Sequence, residues 1–497
     1  MTEFTPPRTL RPLLATLHAS ARAAALDAYV VGGTVRDVLL GRTTRDIDVA
    51  AAGDAVAWAR ALASEMGARF VPLDDERGVA RIVLASTSGM YIDVSALQGT
   101  LEQDLRRRDF TVDALAVALG GARVIDVCGG LADLEARIVR MNGAYVFDDD
   151  PLRLLRAVRV AAELDFSIEQ ATAAAVRERA AQLARAAPER QRDELARIFA
   201  LERAEPAVRL LDDLGLLAIM FPELGAGKGV AQPPRFHVYD VFEHNLHCLA
   251  AMDAMLAARR PSATRDALLW DALWDALRWC EADIRAYLAG SLSEGRSRAV
   301  LLKLAALLHD VSKPETRTFA DDGRLRFYGH AEAGATVARR VLRRLRFGRA
   351  EIDAVATLVA EHLRPVQLAQ VGEAPTRRAL YRFYRALGDA MPAVLLLALA
   401  DAAAARGPRL TSDGWSRQVA YMNSLLVRSI EEEGIVHPPR LLTGHDIMST
   451  LGVAGGPEVG RLIEALAEAQ AAGDVRSRDE ALAFVSKLAR EGSGAGR

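Results

Sequence analysis

Asp46-Ile47-Asp48 lies in an apolar run, RDIDVAA, that reads as a strand. Side chains two apart on a strand share a face, so Asp46 and Asp48 project together, about 7 Å apart along the chain. Carboxylates placed like this repel one another unless cations sit between them. A pair of Mg2+ ions about 3.5–4 Å apart is the arrangement that phosphoryl and nucleotidyl transfer use. Two neighbours point the same way. Gly32-Gly33 follows the strand-like AYVV and precedes a helix carrying Arg36 and Asp37, where bare backbone N–H groups can approach phosphate oxygens. Asp93, in MYIDVSA, has the same apolar flanks and completes a set of three carboxylates.

Two further constellations follow. Asp150 and Arg153, in DDPLRLLRAVRVAAEL, are spaced i, i+3 and expected on one helix face, with Arg156 and Arg159 after them. A carboxylate beside a guanidinium offers acceptor and donor edges, as a nucleobase does. Cytosine and adenine carry an amine beside a ring acceptor, and uracil and guanine reverse that pattern, so such a pair can select between them. A surface ion pair is the other reading of this spacing. Farther on lie His244 in DVFEHNLHCL, His309-Asp310 in LAALLHDVSKP, His330 in GHAEAGA, His362 in AEHLRP and Asp401 in LALADAAAA. Imidazoles and carboxylates together bind Mn2+, Ni2+, Fe2+ or Mg2+ and hold a water for in-line attack on phosphorus. Lys313 is placed to offset phosphate charge, while His237 and His247 read as ordinary histidines.

The elements that must position these residues change character along the chain. A helical lead, LRPLLATLHASARAAAL, precedes a stretch to about residue 127 that alternates strands (AYVVGG, RDIDVAA, ARFVPL, ARIVLAS, MYIDVSA) with helices and ends in a helix-like TVDALAVAL. After about residue 130 the strands are expected to vanish, and i, i+3, i+4, i+7 apolar spacing takes over. FPELGAGKGVAQPPRF (221–236) reads as a linker, and EGSGAGR at the end as frayed. Trp270, Trp274 and Trp279 are expected along one helical face, as a buried seam rather than a base-stacking platform. The basic RRVLRRLRFGR (339–349) suits either RNA phosphates or a solvated amphipathic face.

GGTVRDVLLGRTTRDIDVA resembles the signature of the class II tRNA nucleotidyltransferases, the CCA-adding enzymes and their bacterial poly(A) polymerase relatives. Four more blocks continue the resemblance in order. LRRRDFTVDALAV (105–117) is similar to the RRDFTxNA block, implying that Arg107, Arg108 and Asp109 contact the nucleotide sugar and phosphates, although Asp113 stands where the block has Asn. GGLADLEARIVR (129–140) resembles the hinge after the head. DDPLRLLRAVRVAAEL resembles the EDxxRxxRAxRF block, implying Asp150 and Arg153 as an amino-acid template for the incoming base. ERQRDEL (189–195) matches ERxxxEL at Glu189, Arg190 and Glu194. The H…HD…D set resembles the HD superfamily of metal-dependent phosphohydrolases.

What the resemblance implies is an α+β chain. A polymerase-β-like nucleotidyltransferase head with a mixed sheet (1–137) would precede a helical neck with the template and an RNA-binding region (138–225). An HD domain (231–410) and a helical tail (411–497) would follow. Its implied work is addition of CMP, and also AMP, from CTP and ATP to the 3′ end of tRNA. Asp46, Asp48 and Asp93 would be catalytic, with two Mg2+ at the head and a divalent ion at the HD set. Gly32, Gly33, Arg36, Arg107, Arg108, Asp109, Asp150, Arg153, Arg156 and Arg159 would bind nucleotide. Only 13 residues separate Asp93 from Arg107, where CCA-adding relatives carry a longer loop, so the resemblance leans toward CC addition. Poly(A) synthesis is the runner-up; a phosphohydrolase of RNA 2′,3′-cyclic or 3′ phosphates, using the head as scaffold, is the alternative from another class.

Composition sets the outer bounds. Among 497 residues the net charge is −2, which excludes a wholly basic protein but not a local basic cleft. Three cysteines without a CxxC, no secretory pattern at the start and no expected apolar run of about 20 residues read as a cytoplasmic chain that no membrane holds.

Overall fold

The computed structural model describes residues 3–44, 46–74, 78–84, 89–292, 295–369, 375–432, 435 and 438–494. The chain divides into two compact units, one of Met1–Ile198 with Leu210–Met220 and one of Phe199–Arg209 with Phe221–Arg497.

The first unit is built on a seven-stranded mixed sheet in the order β3–β4–β5–β2–β1–β6–β7. Its strands are β1 (Ala28–Val31), β2 (Asp46–Ala51), β3 (Arg69–Asp74), β4 (Val79–Val83), β5 (Tyr91–Ala96), β6 (Leu115–Ala118) and β7 (Val124–Asp126). β2 and β5 run parallel, with Asp48 beside Asp93, and β4 pairs antiparallel to β5 with Arg81 beside Asp93. Ile47, Val49, Ile92 and Val94 are fully buried, and the helix Ala55–Glu65, which buries Trp58 and Leu62, packs across β3, β4 and β5. The pleat therefore sends Asp46, Asp48, Tyr91, Asp93 and Arg81 to the other face. Burial of one set of side chains fixes the register that gathers the other.

The run TVDALAVAL is not helical. Thr111–Asp113 forms a 3-10 turn, and Leu115–Ala118 becomes β6, paired with both β1 and β7. A short apolar run buried on both sides carries no usable period, and its β-branched and small residues suit the middle of a sheet. Strands also persist beyond residue 130 as two-residue ladders, Ile138–Val139 with Ser167–Ile168 and Thr318–Phe319 with Leu325–Arg326.

The second unit is helical. Val241–Leu256 packs on Arg298–Leu308 and Met391–Arg406, and His330–Arg344 packs on Arg349–Glu361. A separate apolar cluster, with Leu442, Ile447, Val459, Leu462 and Leu466, holds its last helices together. Within 221–236, Leu224 and Gln232 are buried, so the expected linker is partly packed structure. Of the three tryptophans, Trp274 is buried and bonds the Met255 carbonyl, and Trp270 bonds that of Ala257. Trp279 lies beyond the end of the helix Thr264–Ala276, half exposed. Arg340 and Arg344 in the basic stretch are drawn to Glu223. The end of the chain is helical through Gly494, and residues 495–497 of the expected frayed end lie outside the described residues. One stretch, Arg377–Arg409, is long and apolar enough to cross a membrane, against expectation. It consists of two helices broken at Gly388–Ala390, and the second buries most of its residues in this unit's core.

Gly130 opens the helix Gly130–Ala136 against the turn at Thr111. A Cβ there would stand 2.1 Å from the Thr111 carbonyl oxygen. Gly130→Ala is expected to cost about 1–3 kcal/mol of stability, read as a lowered urea midpoint with unchanged slope.

Candidate active site and metal centre

Asp46, Asp48 and Asp93 lie on one face of the first unit's sheet. Thr34, buried in the helix Gly33–Leu39, donates its hydroxyl to the Asp46 carbonyl (3.1 Å) and accepts from the Asp48 N–H (2.8 Å), fixing the strand between them. Burial pushes the Asp48 carboxyl up to about 6; Arg108 opposes the shift, while Asp93, Asp113 and Asp46 add to it. Gly32, at φ +67°, brings the backbone into this corner. A Cβ on it would lie 2.7 Å from an Arg108 nitrogen and 3.5 Å from Asp48 Oδ2. Gly32, Asp48 and Arg108 are thus brought together. Asp93 is gripped on both oxygens by Arg81 (2.8 Å each), whose guanidinium also lies 3.8 Å over the Tyr91 ring. Neither Arg81 nor Thr34 is singled out by the sequence. Arg81 lies on β4, and only the register with β5 discloses its partner.

Several expected nucleotide ligands are otherwise engaged. Arg36 is buried between Asp37 (2.9 Å) and Asp113 (2.6 Å), so it braces the turn rather than facing a phosphate. Arg159 is held by Glu194 and Glu163, each at 2.6 Å, and is a structural pair too. Arg156 pairs with Asp109 at 2.9 Å; burial opposes the charge on Asp109, yet Arg156 and Arg153 hold it below the usual carboxylate range. Arg107 is exposed and has no side-chain partner among the described residues. The expected Asp150–Arg153 pair on one helix face does not form. The helix begins at Arg153, and Asp150 sits ahead of it in extended conformation, accepting from the Leu152 N–H (3.1 Å). Pro151 explains this, since it disfavours helix at the residue before it. Asp150 is gripped instead by Arg190, at 3.2 and 2.7 Å, and Arg153 donates to the Val146 carbonyl.

In the second unit all six expected ligands converge. His244 Nε2 lies 3.0 Å from Asp401 Oδ1, 3.3 Å from Asp310 Oδ2 and 3.2 Å from His309 Nε2. His330 Nε2 approaches the other Asp310 oxygen at 3.3 Å, and His362 Nε2 at 3.8 Å. Two clusters result, His244–His309–Asp310–Asp401 and Asp310–His330–His362, which share Asp310. The Nδ1 atoms of His309, His330 and His362 each bond the carbonyl three residues earlier, at 2.9, 2.6 and 2.7 Å. Those bonds turn every Nε2 inward, as ligating imidazoles require. The Nε2 atoms of His330 and His362 and Asp310 Oδ1 are buried without a hydrogen-bond partner, a set of ligand atoms that a divalent cation would satisfy. Burial and His309 push His362 down to about 4, keeping it neutral, whereas Asp310 holds the His309 imidazolium despite burial.

Lys313 does not point at an open phosphate position; its ammonium sits 2.5 Å from Asp310 and 2.7 Å from Gln232 Oε1. His237 is not ordinary either, for its ring meets His244 edge-on at 4.9 Å and burial pushes it down to about 3. His247 stacks on Tyr239 and takes no part in either cluster.

Family models match three stretches: the poly A polymerase head domain over residues 28–140, a probable RNA and SrmB-binding site of polymerase A over 165–227, and the HD domain over 282–406. An A-adding tRNA nucleotidyltransferase of Deinococcus radiodurans is 38% identical across 94% of this chain and 96% of its own. A CC-adding tRNA nucleotidyltransferase of Thermus thermophilus is 36% identical across 92% and 93%. Another CC-adding one, from Geobacter sulfurreducens, is 34% identical across 96% and 95%. A solved CCA-adding enzyme shares the fold at a TM-score of 0.59 and 21% identity, across 97% of this chain and 95% of that one.

A divalent ion entering the second unit's cluster must displace the proton that Asp310 holds on His309. Because that proton is held above the ordinary histidine range, the affinity for Mn2+ is expected to rise with pH through neutrality, by about tenfold per pH unit while one proton is released. Calorimetric titration of metal-free protein in buffers of differing ionisation enthalpy measures both. His309→Ala should abolish the binding.

Proposed function

Because the chain belongs to the family of tRNA nucleotidyltransferases, we propose that it transfers CMP from CTP to the 3′ end of tRNA and stops after two cytidines. The observation that carries the transfer is the row Asp46, Asp48 and Asp93 beside Gly32 and Arg108. A buried carboxyl raised to about 6, with Arg108 opposing three acids, fits a cation. Asp46, Asp48 and Asp93 would hold Mg2+, which supplies charge neutralisation at the phosphates and polarises the attacking 3′ oxygen. That oxygen bonds to the α-phosphorus of CTP as the bond to pyrophosphate breaks. Arg108, beside Asp48, is placed to meet the phosphates, and Thr34 keeps the two strand carboxylates in line. Asp150 accepts from the exocyclic amine of cytosine while Arg153 donates to its ring acceptors, and Arg190 sets the carboxylate's position. Poly(A) synthesis is not favoured, since relatives matching nearly end to end are named for tRNA.

Identity does not separate CC addition from A addition, because relatives of both kinds stand at 34–38%. The connection after β5 supports stopping at two cytidines over completing CCA. Only Leu97–Thr100 lies between β5 and the helix Leu101–Arg106. Leu97 N–H bonds the Ala51 carbonyl, and Thr100 and Gln103 close a reciprocal cap. Such a connection has no free length to act as a lever when the pocket must change from cytosine to adenine.

A second reading concerns the HD cluster, and the observation favouring it is the inward set of unbonded donors. The six ligands would hold one or two divalent ions, which lower the pKa of a bound water for hydrolysis of a phosphate ester. The water oxygen bonds to phosphorus, the bond to the ribose oxygen breaks, and that oxygen takes the proton. A tRNA partner fits a protein of the cytoplasm.

Asp48→Ala, which removes one ligand of the proposed set, should lower CMP transfer by at least about a hundredfold, with the thermal unfolding midpoint retained. Transfer within tenfold of wild type rejects the assignment. Given tRNA trimmed of its last three nucleotides with CTP and ATP together, the product resolved at single-nucleotide length should be two longer. A third nucleotide would reject the CC reading and leave the transfer reading in place.

A further inference from the structure

Two segments border the metal cluster of the second unit, and both leave aromatic rings in solvent. The ribbon Thr318–Phe319/Leu325–Arg326 leads into His330, and it leaves Phe319 65% and Tyr328 69% exposed. Phe236, 53% exposed, stands beside His237 on the other. Each ring carries a guanidinium: Arg317 lies 5.3 Å from the centre of Phe319, Arg326 5.3 Å from Tyr328 and Arg235 5.5 Å from Phe236. These three arginines form no ion pair among the described residues, and the ribbon's acids sit at its turn, where Asp322 takes Arg324.

Both segments are tied to the cluster. The Phe327 carbonyl holds His330 Nδ1 at 2.6 Å, and Lys313, on Asp310, lies 5.7 Å from the Phe327 ring centre. Lys313 also donates to Gln232 at 2.7 Å, and His237 meets His244. Tyr328 stands two residues before His330 and Phe236 one before His237, so what these two rings hold lies next to the cluster.

Exposed rings next to guanidinium groups that no carboxylate takes are what unstacked bases and their phosphates bind. A duplex keeps its bases stacked inside and offers these rings nothing, and a mononucleotide could occupy only one of them. We infer that the two segments form a binding surface for a single-stranded RNA end, which presents its terminal phosphate to the HD cluster. The inference rests on the reading of that cluster as a phosphohydrolase site and adds the residues that would hold its RNA: Phe236, Phe319 and Tyr328 with Arg235, Arg317 and Arg326.

The test is fluorescence anisotropy of a labelled eight-nucleotide RNA with a 3′-phosphate on the full chain, in chelator so that binding is read apart from turnover. Phe319→Ala, Tyr328→Ala and Phe236→Ala together should weaken binding by at least about tenfold, with the unfolding midpoint retained. Arg317→Ala with Arg326→Ala should reduce the slope of log affinity against log salt by about 1.4, or about 0.7 for each phosphate no longer neutralised. Unchanged affinity in the ring variant overturns the inference. So does equal weakening for an abasic oligonucleotide, which would leave charge alone at work. If the ring variant loses RNA while the wild type with Mn2+, Ni2+ or Mg2+ releases no phosphate, the surface stands and the phosphohydrolase reading falls.

Discussion

The chemistry of this molecule rests on carboxylates that cations of the protein hold in place. Asp93 has Arg81, Asp109 has Arg156, Asp150 has Arg190, and Asp310 has Lys313 with His309. Asp48 is the exception, with Arg108 outweighed by three acids, and its carboxyl is lifted to about 6. A buried acid without a partner would protonate or destabilise the fold. Each gripping cation therefore aims its acid, and the weakly compensated Asp48 marks where a metal has most to offer.

The chemistry is more legible in the sequence than the geometry. Asp46, Asp48 and Asp93 can be read because strand alternation is local, and the six HD ligands because histidines in apolar helices are conspicuous. What the sequence hides depends on tertiary partners. Arg36 and Arg159 are buried in ion pairs with Asp113 and Glu194, residues 77 and 35 positions away. No local pattern separates an arginine that faces a phosphate from one that faces a carboxylate. Likewise β6 reads as a helix because its burial on both sides erases the alternation that names a strand. The separation of Asp150 from the helix of Arg153 is of another kind, for Pro151 is in plain view and argues against a helix through Asp150.

The two sites solve the same problem differently. In the head, carboxylates line the sheet face opposite the helix Ala55–Glu65. In the HD cluster three imidazoles are locked by backbone carbonyls and the shared carboxylate is wholly buried. Neutral imidazoles bind an ion without accumulating charge, so a divalent ion in such a cluster would stay enclosed, whereas one held by the head's acids would be open to exchange.

Base choice should then reside in few residues, which fits relatives that add different nucleotides at nearly equal identity. Asp150 lies outside the helix that carries Arg153, so its carboxylate is not fixed by helical geometry but by Arg190 on another helix, Pro188–Ala200. A template split between two elements can be re-spaced by moving one against the other, which a pair on a single helix turn cannot do. Movement of that kind would meet one short tie nearby in the chain, for only Leu97–Thr100 joins β5 to the helix Leu101–Arg106, and its bonded and capped residues leave little free length between the two.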